Sequence, residues 1–402
     1  MVAYQDFVSL SQSRDSEARG RAAHMAAQAY LNHTGPADEH AALFAALIGF
    51  LDDASVRVRG ALAYGLLHTL DAPRPILLAL LQDAPVIARA VAQYSPALVD
   101  ADLIPLVRQA DAPMLHAIAM RERISQRLGE ALVAGGDREL LIKLLPRRDI
   151  AFAPALLRQL ASDGGKSDAE VRGLLLARKD LPPEVRLELV QAVAAALQGC
   201  RIVKGAVAPR RLERLLRDAT DSALTGIGEA EAAAGREPYS AALIAREQVS
   251  TRTMLHAVVQ GHVLFFADCL AELSETRREK VFTLLESGSR AALNALLSRC
   301  GLSAPVRNLL ARLIFHARVA DLADDLAARH FVVTALTEEL IAEHGGMVPP
   351  ELEEAFAYLS EQNVMLARKA ARGVMSGFAG STDRKMALPP AEDAPQLALA
   401  AG

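Results

Sequence analysis

Leu51–Leu67 reads LDDASVRVRGALAYGLL, and thirty residues further on Leu81–Leu98 reads LQDAPVIARAVAQYSPAL. The two align without a gap, Leu51 on Leu81, Asp53 on Asp83, Val56 on Val86, Arg59 on Arg89 and Tyr64 on Tyr94. Self-similarity at a period of about thirty marks stacked helical hairpins, each too small to bury its own apolar face. The stretch decides the fold class: all-α, a solenoid of helix pairs.

Composition agrees. The chain has 402 residues, 51% of them hydrophobic, yet no Trp and only 4% aromatics. Ala, Leu and Val must fill the core, which suits closely packed helices better than a sheet. A net charge of −4 gives no global pull toward nucleic acid or an anionic membrane. The three cysteines, Cys200, Cys269 and Cys300, are scattered and form no CxxC, which suits reduced thiols in a cytoplasmic protein. The opening MVAYQDFVSLSQSRDSE lacks the pattern of a signal peptide. Leu255–Leu273, the most apolar window, is interrupted by His256, Gln260, His262 and Asp268, so no bilayer span is expected.

An earlier unit precedes the anchor. Asp15 and Arg21 have the six-residue separation of Asp53/Arg59 and Asp83/Arg89, and Ala22, Ala23 and Ala26 follow. This resembles HEAT repeats, whose second helix opens with Asp and carries an Arg six residues on. Asp caps free amides at the helix start, and the Arg reaches the next unit, so Asp15, Arg21, Asp53, Arg59, Asp83 and Arg89 are expected to form a structural ladder. A recognition strip is the competing reading. A fourth copy at Asp111 carries Ala117 in place of the Arg, and the ladder should stop there.

RLGEALVAGGDRELLIKLL (127–145), flanked by YSPALVDADLIPLV (94–107) and LLLARKDLPPEVRLELV (174–190), resembles a family of alphaproteobacterial proteins of unknown function. MLHAVVQGHVLFFADCLAEL (254–273) and GSRAALNALLSRCGL (288–302) extend the resemblance. It implies HEAT-like repeats followed by a helical C-terminal module, and no activity. One departure is Pro146-Arg147-Arg148-Asp149, where the family has a short Asn-containing turn.

The expected organisation is HEAT-like repeats over 1–200, a helical module over 205–345, a terminal helix over 346–376 and a disordered tail over 377–402. Residues 201–208, RIVKGAVA, read as a strand-like linker.

Arg201, Lys204, Arg210, Arg211, Arg214 and Arg217, against Glu213, make the strongest basic stretch, six cations less one acid giving +5. Such a run can grip phosphates, though solvated surface is the commoner meaning, and no aromatics for base stacking lie nearby. Val263, Leu264, Phe265, Phe266, Cys269 and Leu270 read either as a groove for a partner helix or as core, with core favoured. No His-Glu step, GxSxG elbow or phosphate-cradling glycine loop occurs, and His256 and His262, six apart, do not share a helix face. The sequence therefore predicts no catalytic residues, metal or cofactor. It predicts a non-enzymatic cytoplasmic scaffold or adaptor for protein partners. The alternative is a HEAT-like nucleic-acid binder using Arg201–Arg217.

Overall fold

Cap and turn chemistry divides this Ala- and Leu-rich chain into helices. The computed structural model describes residues 4–235 and 239–380; among these there are 23 α-helices and no strand. The chain divides into two units, Met1–Leu189 and Val190–Gly402.

The first unit holds α1 (Tyr4–Ser11), α2 (Ser16–Leu31), α3 (Ala37–Leu51), α4 (Val56–Leu66), α5 (Arg74–Leu80), α6 (Pro85–Tyr94), α7 (Asp100–Val107), α8 (Ala112–Ala119), α9 (Gln126–Val133), α10 (Arg138–Leu144), α11 (Pro154–Leu160) and α12 (Ala169–Leu176). Asp15, Asp111, Ser125, Asp137 and Asp168 each accept an amide from the first turn of the helix that follows. Prolines stand at the starts of α6, α8 and α11, where a missing N–H costs nothing. The helices α2, α4, α6, α8, α10 and α12 pack each on the next, while α3 packs on α5 and α7 on α9. Most of these helices thus have their successor but one as a neighbour. Small residues allow the closest approach: Ala22, Ala23, Ala26 and Ala27 are fully buried, and a Cβ on Gly65 of α4 would lie 2.6 Å from the Cβ of Ala27. Ala161–Gly165 prolongs α11 as a π-helical turn.

Helix α13 (Pro183–Gly199) carries the chain across the division. The second unit continues with α14 (Arg201–Ala206), α15 (Pro209–Ala233), α16 (Tyr239–Ala245), α17 (Thr251–Val259), α18 (Val263–Ser274), α19 (Arg278–Ser287), α20 (Arg290–Arg299), α21 (Ala304–Ala317), α22 (Leu326–His344) and α23 (Glu353–Gly380). Residues 201–206 are helical, correcting the strand-like reading. A lone strand would leave its backbone donors and acceptors unmatched, whereas a helical turn pairs them internally. Helices α17 and α18 form the centre: both contact α15, α17 also contacts α21 and α23, and α18 also contacts α16, α19 and α20. Phe265, Phe266, Cys269 and Leu270 are buried there, so the apolar patch is core; Val263, at 44%, is its exposed edge. Burial pushes the Cys269 thiol up. The expected tail beginning at 377 overlaps α23, which runs to Gly380; residues 381–402 lie outside the described residues.

Gly228 lies in the middle of α15, where glycine ordinarily costs helix stability. A Cβ at this position would overlap the ring of Phe265, which is 2% exposed. Gly228→Ala is therefore expected to destabilise the second unit by about 1–3 kcal/mol, despite alanine's better helix propensity. A urea titration that showed stabilisation would contradict this packing.

Candidate functional site

The ladder residues are placed as follows. Arg59 grips Asp83 bidentately, Nε to Oδ2 at 2.6 Å and Nη2 to Oδ1 at 2.8 Å. Asp53 receives Arg19 in the same way, at 2.7 and 3.1 Å, and Arg21 sits exposed beside Glu17 at 3.7 Å. Asp15 caps α2. Counting from Asp15 therefore selects Arg21, but the guanidinium that spans units is two residues earlier. Arg89 donates to its own helix, to the Pro85 carbonyl at 2.9 Å, and Asp111 accepts the Met114 amide. The paired arginines hold the Asp53 and Asp83 carboxyls below their ordinary range.

Past Asp111 the device changes, and here the sequence reading missed a second series. Arg121 donates to the carbonyls of Ala92 and Ser95 at the end of α6. Arg147 reaches Ala119, Arg121 and Glu122 beyond α8, at 3.1, 2.6 and 2.8 Å. Arg178 reaches Leu145, Arg147 and Ile150 beyond α10, at 2.8, 3.1 and 2.6 Å. Each satisfies carbonyls that a helix end leaves orphaned. Arg147 and Arg178 are steadied by Asp149 and Asp180, two residues on. The available signal was Arg-x-Asp-Ile at 147–150 and Arg-x-Asp-Leu at 178–181, with Ile150 and Leu181 buried. These arginines are framework.

Two surfaces remain open. In the first unit the aligned positions face outward in both copies: Val56 and Val86 are 43% and 64% exposed, Tyr64 and Tyr94 66% and 50%. Tyr94 packs on His68 with ring centroids 5.7 Å apart. Beside it, Leu70 (74% exposed) and Met120 (58%) line a cavity of ≈ 670 Å³ that reaches Leu128 and is rimmed by Asp100, Glu122 and Arg123.

In the second unit the basic segment is split. Arg201 and Lys204 stand on α14; Lys204 lines a separate cavity with Glu213. Arg210 and Arg217 are exposed on α15. Arg211 and Arg214 join Arg368, Lys369 and Arg372 of α23 around a cleft of ≈ 350 Å³. The α23 trio was not selected from the sequence, although ARKAAR (367–372) places cations on one helix face.

Beneath that cleft is a buried polar network. His256, fully buried, has Nε2 at 3.0 Å from Ser222 Oγ and Nδ1 at 3.1 Å from the Tyr358 hydroxyl. Burial, with help from the charges of His262, Arg252, Lys369 and Arg329, pushes the His256 pKa down to about 3, so the ring is neutral. Arg252 bridges Asp221 at 2.6 Å and Glu361 at 3.0 Å and lies over the Tyr358 ring at 5.0 Å. His262 bonds Thr225 at 2.9 Å. These histidines hold the core together; among the described residues no cluster of His, Cys, Asp and Glu could hold a metal ion. No helix among the described residues is long and apolar enough to cross a membrane.

Neither the curated proteins nor the solved structures compared with this chain provide a match. A family model matches residues 87–339, more than half of the chain, described as an uncharacterised protein conserved in bacteria (DUF2336). The matched stretch holds the arginine–carbonyl series and most of the second unit's helices. The chain therefore belongs to this family of uncharacterised proteins conserved in bacteria.

Proposed function

We propose that the chain is a HEAT-like helical-repeat scaffold that binds a protein partner along the outward face of α4 and α6 and the adjoining groove. The observation that carries this reading is the repetition of exposed apolar and aromatic side chains, Val56/Val86 and Tyr64/Tyr94, at equivalent positions of two units, continued by Leu70 and Met120. Large exposed apolar patches mark interaction surfaces, and Tyr and Met are the residues interfaces favour. The underlying packed helices hold these anchors in place, so the partner pays little ordering entropy for them. Rim charges from Asp100, Glu122 and Arg123 orient the incoming segment.

The second reading, nucleic-acid binding, has the basic run on α14 and α15 in its favour. Photo-crosslinking from Tyr64 and Tyr94 in the native cell, read by mass spectrometry, tests the first. One protein captured from both positions, with its affinity lowered at least about tenfold by Tyr94→Ala plus Met120→Ala and no change in Tm, is the expected result. No common protein, together with salt-steep oligonucleotide binding lost on Arg211→Ala plus Arg214→Ala, would replace it with the second.

A further inference from the structure

We infer that the cleft between α15 and α23 is a second docking site, which takes an acidic amphipathic helix from a protein partner. Arg211, Arg214, Arg368, Lys369 and Arg372 converge on it, and among the described residues none of them forms an ion pair. Elsewhere Arg19, Arg59, Arg138, Arg178 and Arg252 all hold carboxylates. The two acids in the lining are already engaged: Asp218 accepts from Gln362 at 2.5 Å and Glu361 from Arg252 at 3.0 Å. Five cations against these two carboxylates, one of them already paired with Arg252, leave the cleft with a net positive charge that suits an anion.

The shape of the ligand follows from what lies between the cations. Leu215 and Val364, 48% and 50% exposed, and Met365 give the cleft an apolar floor. Along α23 the lining runs from Glu361 to Arg372, about 16 Å at 1.5 Å per residue, or three helical turns. A helix with carboxylates on its flanks and two or three apolar side chains between them satisfies both features. Arginine, with its planar fork, is suited to carboxylates in just this way. Nucleic acid fits less well, because the lining holds no aromatic ring on which a base could stack.

The test uses the full chain and a labelled synthetic helix of about eighteen residues, Glu on its flanks and Leu between them, long enough to span the cleft. Fluorescence anisotropy should give a Kd in the micromolar range that weakens about tenfold or more when Glu is replaced by Gln in the peptide. Arg214→Ala plus Arg368→Ala should weaken binding to the same degree, and Leu215→Ser should weaken it as well, all with unchanged Tm because these side chains are exposed. A mixed-sequence single-stranded oligonucleotide that bound more tightly than the peptide, and lost its binding in the double variant, would overturn the proposal. So would peptide binding indifferent to the double variant, or none at all. The proposal shares with the preceding section only the premise that the chain binds proteins. Tyr94→Ala should leave the peptide affinity unchanged, so either surface can fail without the other.

Discussion

Arg178→Ala is expected to destabilise the first unit by about 3–5 kcal/mol. All five guanidinium donors of Arg178 are used: Nε and one Nη2 hydrogen on Asp180, the other Nη2 hydrogen on Ile150 O, and both Nη1 hydrogens on Leu145 O and Arg147 O. The side chain is 8% exposed and stacks over Phe152 at 4.6 Å. Removing it leaves three main-chain carbonyls without this donor, whereas Asp180 keeps the Phe152 amide and can turn to water. Arg178→Lys should recover little, because an ammonium has three donors and no plane with which to fork. Hydrogen exchange of α10 and α12 is the measurement of choice, since it reads the damaged turn directly. Unchanged protection in Arg178→Ala would show that the carbonyls do not depend on it.

His256 should cost the second unit up to about 5 kcal/mol of stability as pH falls from about 6.5 toward about 3, opposed in part by the Asp221 and Asp268 carboxyls, which burial pushes up. The sign follows from His256. Unfolded, its ring takes a proton near its ordinary pKa; folded, it resists protonation until about 3. Between those values the unfolded state binds the extra proton, so acid favours unfolding. His262, also pushed down by burial, adds a contribution of the same sign. His256→Leu should flatten the slope between pH 6.5 and 4.5, leaving the His262 share, while lowering stability at neutral pH because Ser222 and Tyr358 lose their shared partner. Urea midpoints followed across pH decide it; a slope identical in the variant would mean that His256 is not the responsive group. The first unit should respond in a lower window, below about 4. There Asp53 and Asp83, held low by Arg19 and Arg59, finally accept protons and release their partners.

The sequence showed the helical class and the thirty-residue repeat because both are local. Capping aspartates, N-terminal prolines and the spacing of Leu and Ala announce helices without reference to anything distant. Pairing across units was less legible. Arg19 and Arg21 are both chemically able to reach Asp53, and only the pitch of α2 against α4 selects the first. The arginine–carbonyl series was harder still, since its acceptors are main-chain oxygens, which have no letter in a sequence. The cleft combines residues 150 positions apart, such as Arg214 and Val364, so the run on α15 could be noticed but its meeting with α23 could not. Gly228 lies inside a long helix, and a distant phenylalanine there occupies the space a side chain would fill.

The arginine–carbonyl series has one further property. The main-chain oxygen of Arg121 is held by Arg147, that of Arg147 by Arg178, and that of Arg178 by Arg186. Each fastener is thus itself fastened by its successor, in the manner of overlapping roof tiles. A pull applied from the C-terminal side would meet Arg186 first and free the rows one at a time, whereas a pull from the other side would find every row covered. The direction of load, and not merely its size, should therefore govern how this region comes apart.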